Sequence, residues 1–187
     1  MQKCGLVSLA IFYHDFRDKE KKDLRGLLSS VLSQLCNKSD SYFSILSTFY
    51  SRYDNGARSP SNDEVYRCLK DLLILPGQAP VFLVVDALDE CPKASYRNQV
   101  LMLLQDLVDS RPPNLRICVT SRPEINIKHI LEPLSFRSVS LHDESGHKED
   151  IANYIKSFVH QDPSMQRWTL VHKQLVIDVL TERADGM

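Results

Sequence analysis

The stretch VFLVVDALDE, residues 81–90, decides the fold class of this chain. Its first half is a continuous apolar run, which is typical of a strand covered on both faces, as in a parallel sheet. The run ends at Asp86, and Asp89 and Glu90 follow closely. Ligands of open α/β sheets bind at the carboxyl ends of the strands. The stretch therefore predicts a binding crevice edged by three carboxylates.

Strands and helices alternate on both sides of this stretch. Further strands are predicted at Leu9–Phe16 and Arg116–Ser121, with a weak one at Ser138–Leu141. Apolar residues at helical spacing predict helices within residues 24–36, 42–53, 61–73, 100–108, 150–159 and 170–183. The alternation predicts an α/β fold, with a parallel sheet of about four strands flanked by helices. A helical C-terminal tail completes the predicted fold.

Composition excludes several classes of protein. The chain has 187 residues with 23 Lys and Arg against 24 Asp and Glu, a net charge of −1, which argues against nucleic-acid or membrane-surface binding. No stretch reaches the roughly 20 apolar residues of a membrane span, and the N-terminus lacks the pattern of a signal peptide. The five cysteines are scattered without a C-x-x-C pair, which disfavours a disulfide framework or a zinc site. A reducing, cytoplasmic location is expected.

The acids of residues 81–90 suggest metal chemistry. Three carboxylates this close repel one another unless a cation or a bridging water intervenes. Mg²⁺ prefers one or two carboxylates together with phosphate and water. Asp86 would then hold Mg²⁺, and Asp89 or Glu90 would orient an attacking water. A solvated acidic turn after a core strand explains the same residues, and the segment alone leaves both interpretations open.

The strand that follows ends in Thr120-Ser121-Arg122-Pro123. If this strand lies beside the first, Arg122 reaches the same crevice, where a guanidinium can contact a phosphoryl oxygen. The alternative is a surface arginine paired with Glu124 or Glu90.

These segments resemble a known family. VFLVVDALDE is similar to the Walker B segment of NACHT-type NTPases, within the STAND class of P-loop proteins, and RICVTSRPE is similar to their sensor strand. The flanking segments FYHDFRDKEKKDLRGLLSSVLSQLC and VSLHDESGHKEDIANYI complete the likeness. Together they resemble the nephrocystin-like N-terminal NACHT module of fungal repeat-containing proteins, over roughly residues 9–187 of this chain.

The resemblance implies a nucleotide-dependent signalling switch that uses Mg²⁺ with ATP or GTP. Asp86 matches the metal-binding acid, Asp89 and Glu90 match the catalytic acids, and Arg122 matches the sensor arginine. Residues 1–142 would be a partial NTPase core and residues 143–187 a truncated helical extension. Oligomerisation or repeat domains of a longer protein imply protein partners, and neither nucleic acid nor membrane is expected as a partner.

One motif of that family is missing from the sequence. Glycine occurs only at positions 5, 26, 56, 77, 146 and 186, and none begins the phosphate loop G-x-x-x-x-G-K-[ST]. Its strand would lie between Arg116–Ser121 and Ser138–Leu141. We therefore expect a fragment that binds no nucleotide or cofactor and has no enzymatic activity by itself. Its uncovered strand edges predict marginal stability or dependence on a partner.

Two other functions remain open at the level of the sequence. The chain could be a non-enzymatic interaction or scaffold module that associates with other NACHT or repeat-containing proteins through its uncovered sheet edge. A minor alternative is a metal-dependent nuclease or hydrolase that uses Asp86, Asp89 and Glu90 alone, although no basic groove accompanies them. Cys91 follows the acids without an evident base near it, and is expected to be an ordinary free cysteine.

Overall fold

The computed structural model describes residues 7–14, 23–91, 94–140 and 145–183, with side chains left undescribed at 145–148. The strands are Ser8–Tyr13 (β1), Val81–Asp86 (β2) and Leu115–Val119 (β3). The helices are Leu24–Cys36 (α1), Asp40–Arg52 (α2), Asn62–Leu73 (α3), Ala94–Asp109 (α4), Ile125–Leu131 (α5), Ser145–Gln161 (α6) and Leu170–Arg183 (α7). Short 3₁₀ turns occur at Asp54–Gly56, Leu88–Glu90, Glu132–Leu134 and Pro163–Met165.

The chain divides into two compact units, Met1–Ser135 and Phe136–Met187. The first unit contains the sheet and helices α1–α5. In the second unit α6 packs on α7, and Val159 and Ile177 are buried there. The predicted division into residues 1–142 and 143–187 concerns function and stays a prediction.

The three strands form one parallel sheet in the order β1-β2-β3. Ser8 is level with Val81 in the pairing of β1 with β2, and Val81 is level with Leu115 in the pairing of β2 with β3. The predicted parallel α/β sheet is confirmed, with three strands in the part of the chain described. The predicted fourth strand is not formed at residues 138–140, and Leu141 lies outside the described residues. A strand needs a neighbour for its ladder hydrogen bonds, and no described strand lies beside this segment.

One face of the sheet carries the core. Alternate side chains of β1 and β2 point to this inner face, among them Ala10, Phe12, Leu83 and Val85, and all four are buried. Helices α1, α3 and α4 supply the rest of one continuous apolar cluster. The amphipathic stripes predicted for these helices are therefore confirmed. Helix α3 begins with a capping box, in which Ser61 and Glu64 satisfy backbone groups at the helix start.

The other face of the sheet, the outer face, is partly exposed and has no helix packed on it among the described residues of the sheet's own unit. Its side chains are Leu9, Ile11, Tyr13, Phe82, Val84, Asp86, Arg116 and Cys118. Ile11 is 43% exposed and Phe82 is 42% exposed. The expectation that residues 81–85 are covered on both faces is therefore wrong. A run of consecutive apolar residues shows that both faces are apolar, but it does not supply the elements that would cover them.

The two edges of the sheet also differ. The side-chain amide of Gln34 on α1 accepts a hydrogen bond from the Ile11 N–H (2.9 Å) and donates one to the Ile11 carbonyl (2.8 Å). It thus binds the free edge of β1 much as a neighbouring strand would. At β3 the outward backbone groups of Ile117 and Val119 have no strand beside them in the described part of the chain. None of the described helices has both the length and the hydropathy needed to cross a bilayer.

Candidate functional site

Thr120 joins the ends of β2 and β3. Its hydroxyl donates to Oδ1 of Asp86 and accepts a hydrogen bond from the N–H of Ala87 at 3.0 Å. Its backbone N–H donates to the Val85 carbonyl (3.0 Å), and its carbonyl accepts from the Leu88 N–H (3.0 Å). Thr120 therefore fixes the segment that carries Asp86. Sequence reasoning missed this role, although Thr120 lies within the predicted strand Arg116–Ser121.

A strained turn follows Asp86. Ala87 has φ 54° and ψ 48°, in the left-handed region that residues other than glycine seldom adopt. The hydrogen bonds on either side of it, through the Ala87 and Leu88 N–H groups, hold the strained conformation in place. The turn directs the chain into the short 3₁₀ segment Leu88–Glu90. Strain of this kind concentrates at functional sites, where surrounding contacts over-determine the backbone.

Asp89 and Arg122 meet at the carboxyl end of the sheet. Oδ2 of Asp89 lies 3.5 Å from Nε of Arg122, and its Oδ1 accepts a hydrogen bond from the Arg122 N–H at 3.0 Å. The Asp89 side chain is 10% exposed, whereas that of Arg122 is 82% exposed. The Asp89 carboxylate therefore holds the loop that follows β3 in place, whereas the Arg122 guanidinium remains accessible to a ligand. The predicted proximity of the two strand ends is confirmed.

Arg97, on α4, links the loop that follows β2 to the loop that follows β3. One guanidinium nitrogen forms an ion pair with Glu124, and the other donates to the Asp89 carbonyl at 2.7 Å. Glu124 is thus paired with Arg97, and Arg122 with Asp89. The alternative pairing of Arg122 with Glu124 or Glu90 is therefore not formed. Sequence reasoning missed Arg97, because it precedes the predicted helix at residues 100–108 and belongs to no motif.

Glu90, the third acid of the predicted site, takes no part in these contacts. Glu90 is half-buried, and its side chain has no hydrogen bond among the described residues. No group of three or more His, Cys, Asp or Glu residues in the described part of the chain could hold a metal ion. Asp86 nevertheless suits Mg²⁺, which typically takes one or two protein carboxylates and completes its shell with phosphate and water. Within the described residues, the carboxylate trio needed by a metal-dependent hydrolase is not assembled.

A buried His–Cys pair lies near the acids. Nδ1 of His14 is 3.5 Å from Sγ of Cys91, and His14 is packed between the rings of Phe12 and Tyr96. Burial lowers the pKa of His14 to about 4, helped by the positive charge of Arg97. Burial also raises the pKa of the Cys91 thiol to about 12. Both groups are therefore neutral near pH 7, and they do not form an activated nucleophile.

The expectation that no base lies near Cys91 is wrong. His14 follows β1 and Cys91 follows β2, and the two strands are parallel neighbours. The two residues are 77 positions apart, so only the strand pairing could have predicted the contact. The interpretation of Cys91 as an ordinary, unreactive thiol still agrees with its raised pKa.

The fold and this site define the class of protein. It is a parallel α/β domain in which two neighbouring strands are followed by an acid and an arginine at the same end of the sheet. A family model described as "Nephrocystin 3, N-terminal" matches residues 2–122, which is more than half of the chain. The chain therefore belongs to the nephrocystin 3 N-terminal family. Comparisons with curated proteins and with solved structures gave no match.

Proposed function

We propose that this chain carries the metal and sensor side of a nucleoside-triphosphate site from a NACHT-type signalling switch. The observation that supports this most strongly is the arrangement at the ends of β2 and β3. Asp86 is held by Thr120, and Arg122 is held by Asp89 on the adjoining turn. An exposed carboxylate and an exposed guanidinium on neighbouring strand ends suit a metal ion and the phosphate that it accompanies.

Each residue has a separate part in the proposed site. Asp86 would bind Mg²⁺ through the oxygen that Thr120 leaves unbound. Arg122 would contact a phosphoryl oxygen, since only its backbone N–H and Nε are engaged with Asp89. Asp89 would position Arg122, and Glu90 would be left to orient a water. When bound, Mg²⁺ with ATP or GTP supplies the transferable phosphoryl group and neutralises its charge.

The motif that would bind the phosphates of the nucleotide is missing from these 187 residues. None of the six glycines begins a G-x-x-x-x-G-K-[ST] motif, so no backbone cradle and no lysine are available for the phosphates. We therefore propose that this chain alone neither binds nor hydrolyses ATP or GTP. Nucleotide chemistry would need a phosphate loop supplied by another polypeptide segment.

Thermal unfolding with Mg²⁺-ATP and Mg²⁺-GTP tests the proposal that this chain alone binds no nucleotide. A ligand with a Kd of about 10 μM, present at about 1 mM, would add ~2.7 kcal/mol to the free energy of unfolding. The proposal predicts no rise in Tm with either nucleotide. A clear rise that Arg122→Ala removes would contradict it, because the chain would then hold a complete phosphate site.

A second candidate function is a non-enzymatic interaction module. The observation that favours it is the difference between the sheet edges, since Gln34 binds the edge of β1 while β3 has no strand beside it in the described part of the chain. An edge of this kind can accept a strand from another protein. Size measurements with and without a longer family member test this function. A chain that stays monomeric at all concentrations and does not bind the longer family member would argue against an interaction module.

A further inference from the structure

Two apolar surfaces on this chain are left without a covering element among the described residues. The first is the outer face of the sheet, where Ile11, Phe82 and Val84 form a patch across β1 and β2. Sheets made only of parallel strands are almost always covered by helices on both faces. Here α1, α3 and α4 cover the inner face alone, so the outer face is suited to a helix.

The second surface is a stripe on α7. Val171, Leu175 and Val179 follow one another at intervals of four residues and are 77%, 59% and 38% exposed. They therefore lie along one side of the helix. Ile177, which is buried in this unit, lies on the opposite side. Helix α7 thus has one apolar side toward its own unit and a second that faces solvent.

The charges at the ends of the two surfaces are complementary. On the outer face Arg116 is level with Phe82, at the start of the strands, and Asp86 lies four residues further along β2, about 13 Å away. On α7 Glu182 continues the apolar stripe at its C-terminal end, about 16 Å from Val171.

We propose that the outer face of the sheet binds helix α7 of a second copy of this chain, with the helix antiparallel to the strands. Leu175 and Val179 pack on Phe82, Val84 and Ile11. In this orientation Glu182 meets Arg116. The positive N-terminal end of the helix dipole lies toward Asp86, which is the favourable sign for a carboxylate.

Sedimentation velocity over a range of concentrations, with charge-reversal variants, tests the proposal. Arg116→Glu and Glu182→Arg should each weaken dimerisation about tenfold, because each replaces an attraction by a repulsion. The double variant should restore the affinity of the native chain. Arg67→Glu, a reversal at an exposed position on α3, is the matched control and should leave dimerisation unchanged.

Three results would overturn the proposal. The first is a monomer at all concentrations up to about 1 mM, since a weaker contact is worth less than ~4 kcal/mol. The second is a dimer that neither single reversal weakens, which would place the contact elsewhere. The third is a dimer weakened by Arg116→Glu but not by Glu182→Arg, which would indicate another occupant of the outer face. Leu175→Asp, at an exposed position, gives an independent check and should also abolish the dimer.

Discussion

The hydroxyl of Thr120 donates a hydrogen bond to the carboxylate of Asp86 and so joins the ends of two neighbouring parallel strands. The same oxygen accepts from the N–H of Ala87. One side chain therefore fixes both the proposed metal-binding acid and the strained residue that follows it.

Removing this hydroxyl should loosen the end of β2. Thr120→Val keeps the shape of the side chain but leaves the Ala87 N–H and Asp86 without their partner. We expect a loss of roughly 0.5–1.5 kcal/mol in the free energy of unfolding, measured by urea titration. Thr120→Ser, which keeps the hydroxyl, is the control. Equal losses in the two variants would show that the methyl group, and not the hydrogen bonds, stabilises the site.

The left-handed backbone of Ala87 predicts opposite effects for two substitutions. Ala87→Gly relieves the positive φ, and after the entropy that glycine adds to the unfolded chain the net gain should be about 0.5–1 kcal/mol. Ala87→Val places a β-branched side chain in the same conformation and should cost more than about 1 kcal/mol. Urea titration of both variants checks the pair. An Ala87→Gly variant that is less stable than the native chain would contradict the claim that the backbone of Ala87 is strained.

Stability should depend on pH through His14. Its pKa is about 4 in the folded chain and 6.5 in an unfolded one, so between these values the unfolded state binds more protons. His14 therefore lowers stability as pH falls from about 6.5 toward 4, by roughly 3 kcal/mol in all, and has no such effect above pH 6.5.

Comparing His14→Gln with the native chain isolates this effect, since both chains carry the same carboxylates. The variant should show a flatter decline of stability between pH 6.5 and 4, whatever its absolute stability. His160→Gln, at an exposed position on α6, is the control and should reproduce the native slope. An unchanged slope in His14→Gln would show that His14 is not buried in its neutral form.

The cysteines should differ sharply in reactivity. Cys118 is exposed on the outer face, whereas Cys36, Cys68 and Cys91 are buried, and burial raises the pKa of each of these three thiols. In a Cys4→Ser background, a disulfide reagent at pH 8 should label one thiol quickly and the other three only after unfolding. Cys118→Ser should remove the fast phase. Fast labelling of Cys91 would contradict its burial against His14.

Gln34 should protect the edge of β1. Gln34→Ala removes both hydrogen bonds to Ile11, and we expect a loss of roughly 1–2 kcal/mol in the free energy of unfolding together with faster aggregation. Gln105→Ala, at an exposed position on α4, is the matched control. Light scattering during mild heating measures the aggregation. Equal behaviour of the two variants would show that the edge of β1 needs no such protection.

Much of the fold follows from sequence periodicity, and the limits have physical causes. The stripes of α1, α3 and α4 predict their helices because each buries one side, and the apolar run that ends at Asp86 predicts β2. The same run could not show that only one face of the sheet is covered, because that depends on elements elsewhere. The segment at residues 138–140 has strand-like residues, but a strand also needs a neighbouring edge.

The site was partly predictable for the same reason. Carboxyl ends of parallel strands meet, so the proximity of Asp86, Asp89 and Arg122 follows once β2 and β3 are neighbours. Thr120 and Arg97 were missed because their roles depend on hydrogen bonds to backbone and loops, which leave no pattern in the sequence. The contact between His14 and Cys91 joins residues 77 positions apart and depends on strand order.

The most direct test of the proposed site is metal binding at Asp86, followed by NMR with Mn²⁺ alone, because even a weak and transient contact with this ion broadens nearby signals. We predict paramagnetic broadening centred on residues 86–90 and 120–122 and extending to Tyr13 and His14 at the adjoining end of β1, reduced by excess Mg²⁺ and lost in Asp86→Asn. Asp63→Asn, an acid at the start of α3, should leave the broadening unchanged. Broadening spread over other surface acids, or broadening that persists in Asp86→Asn, would contradict the claim that this strand end is the metal side of a nucleotide site.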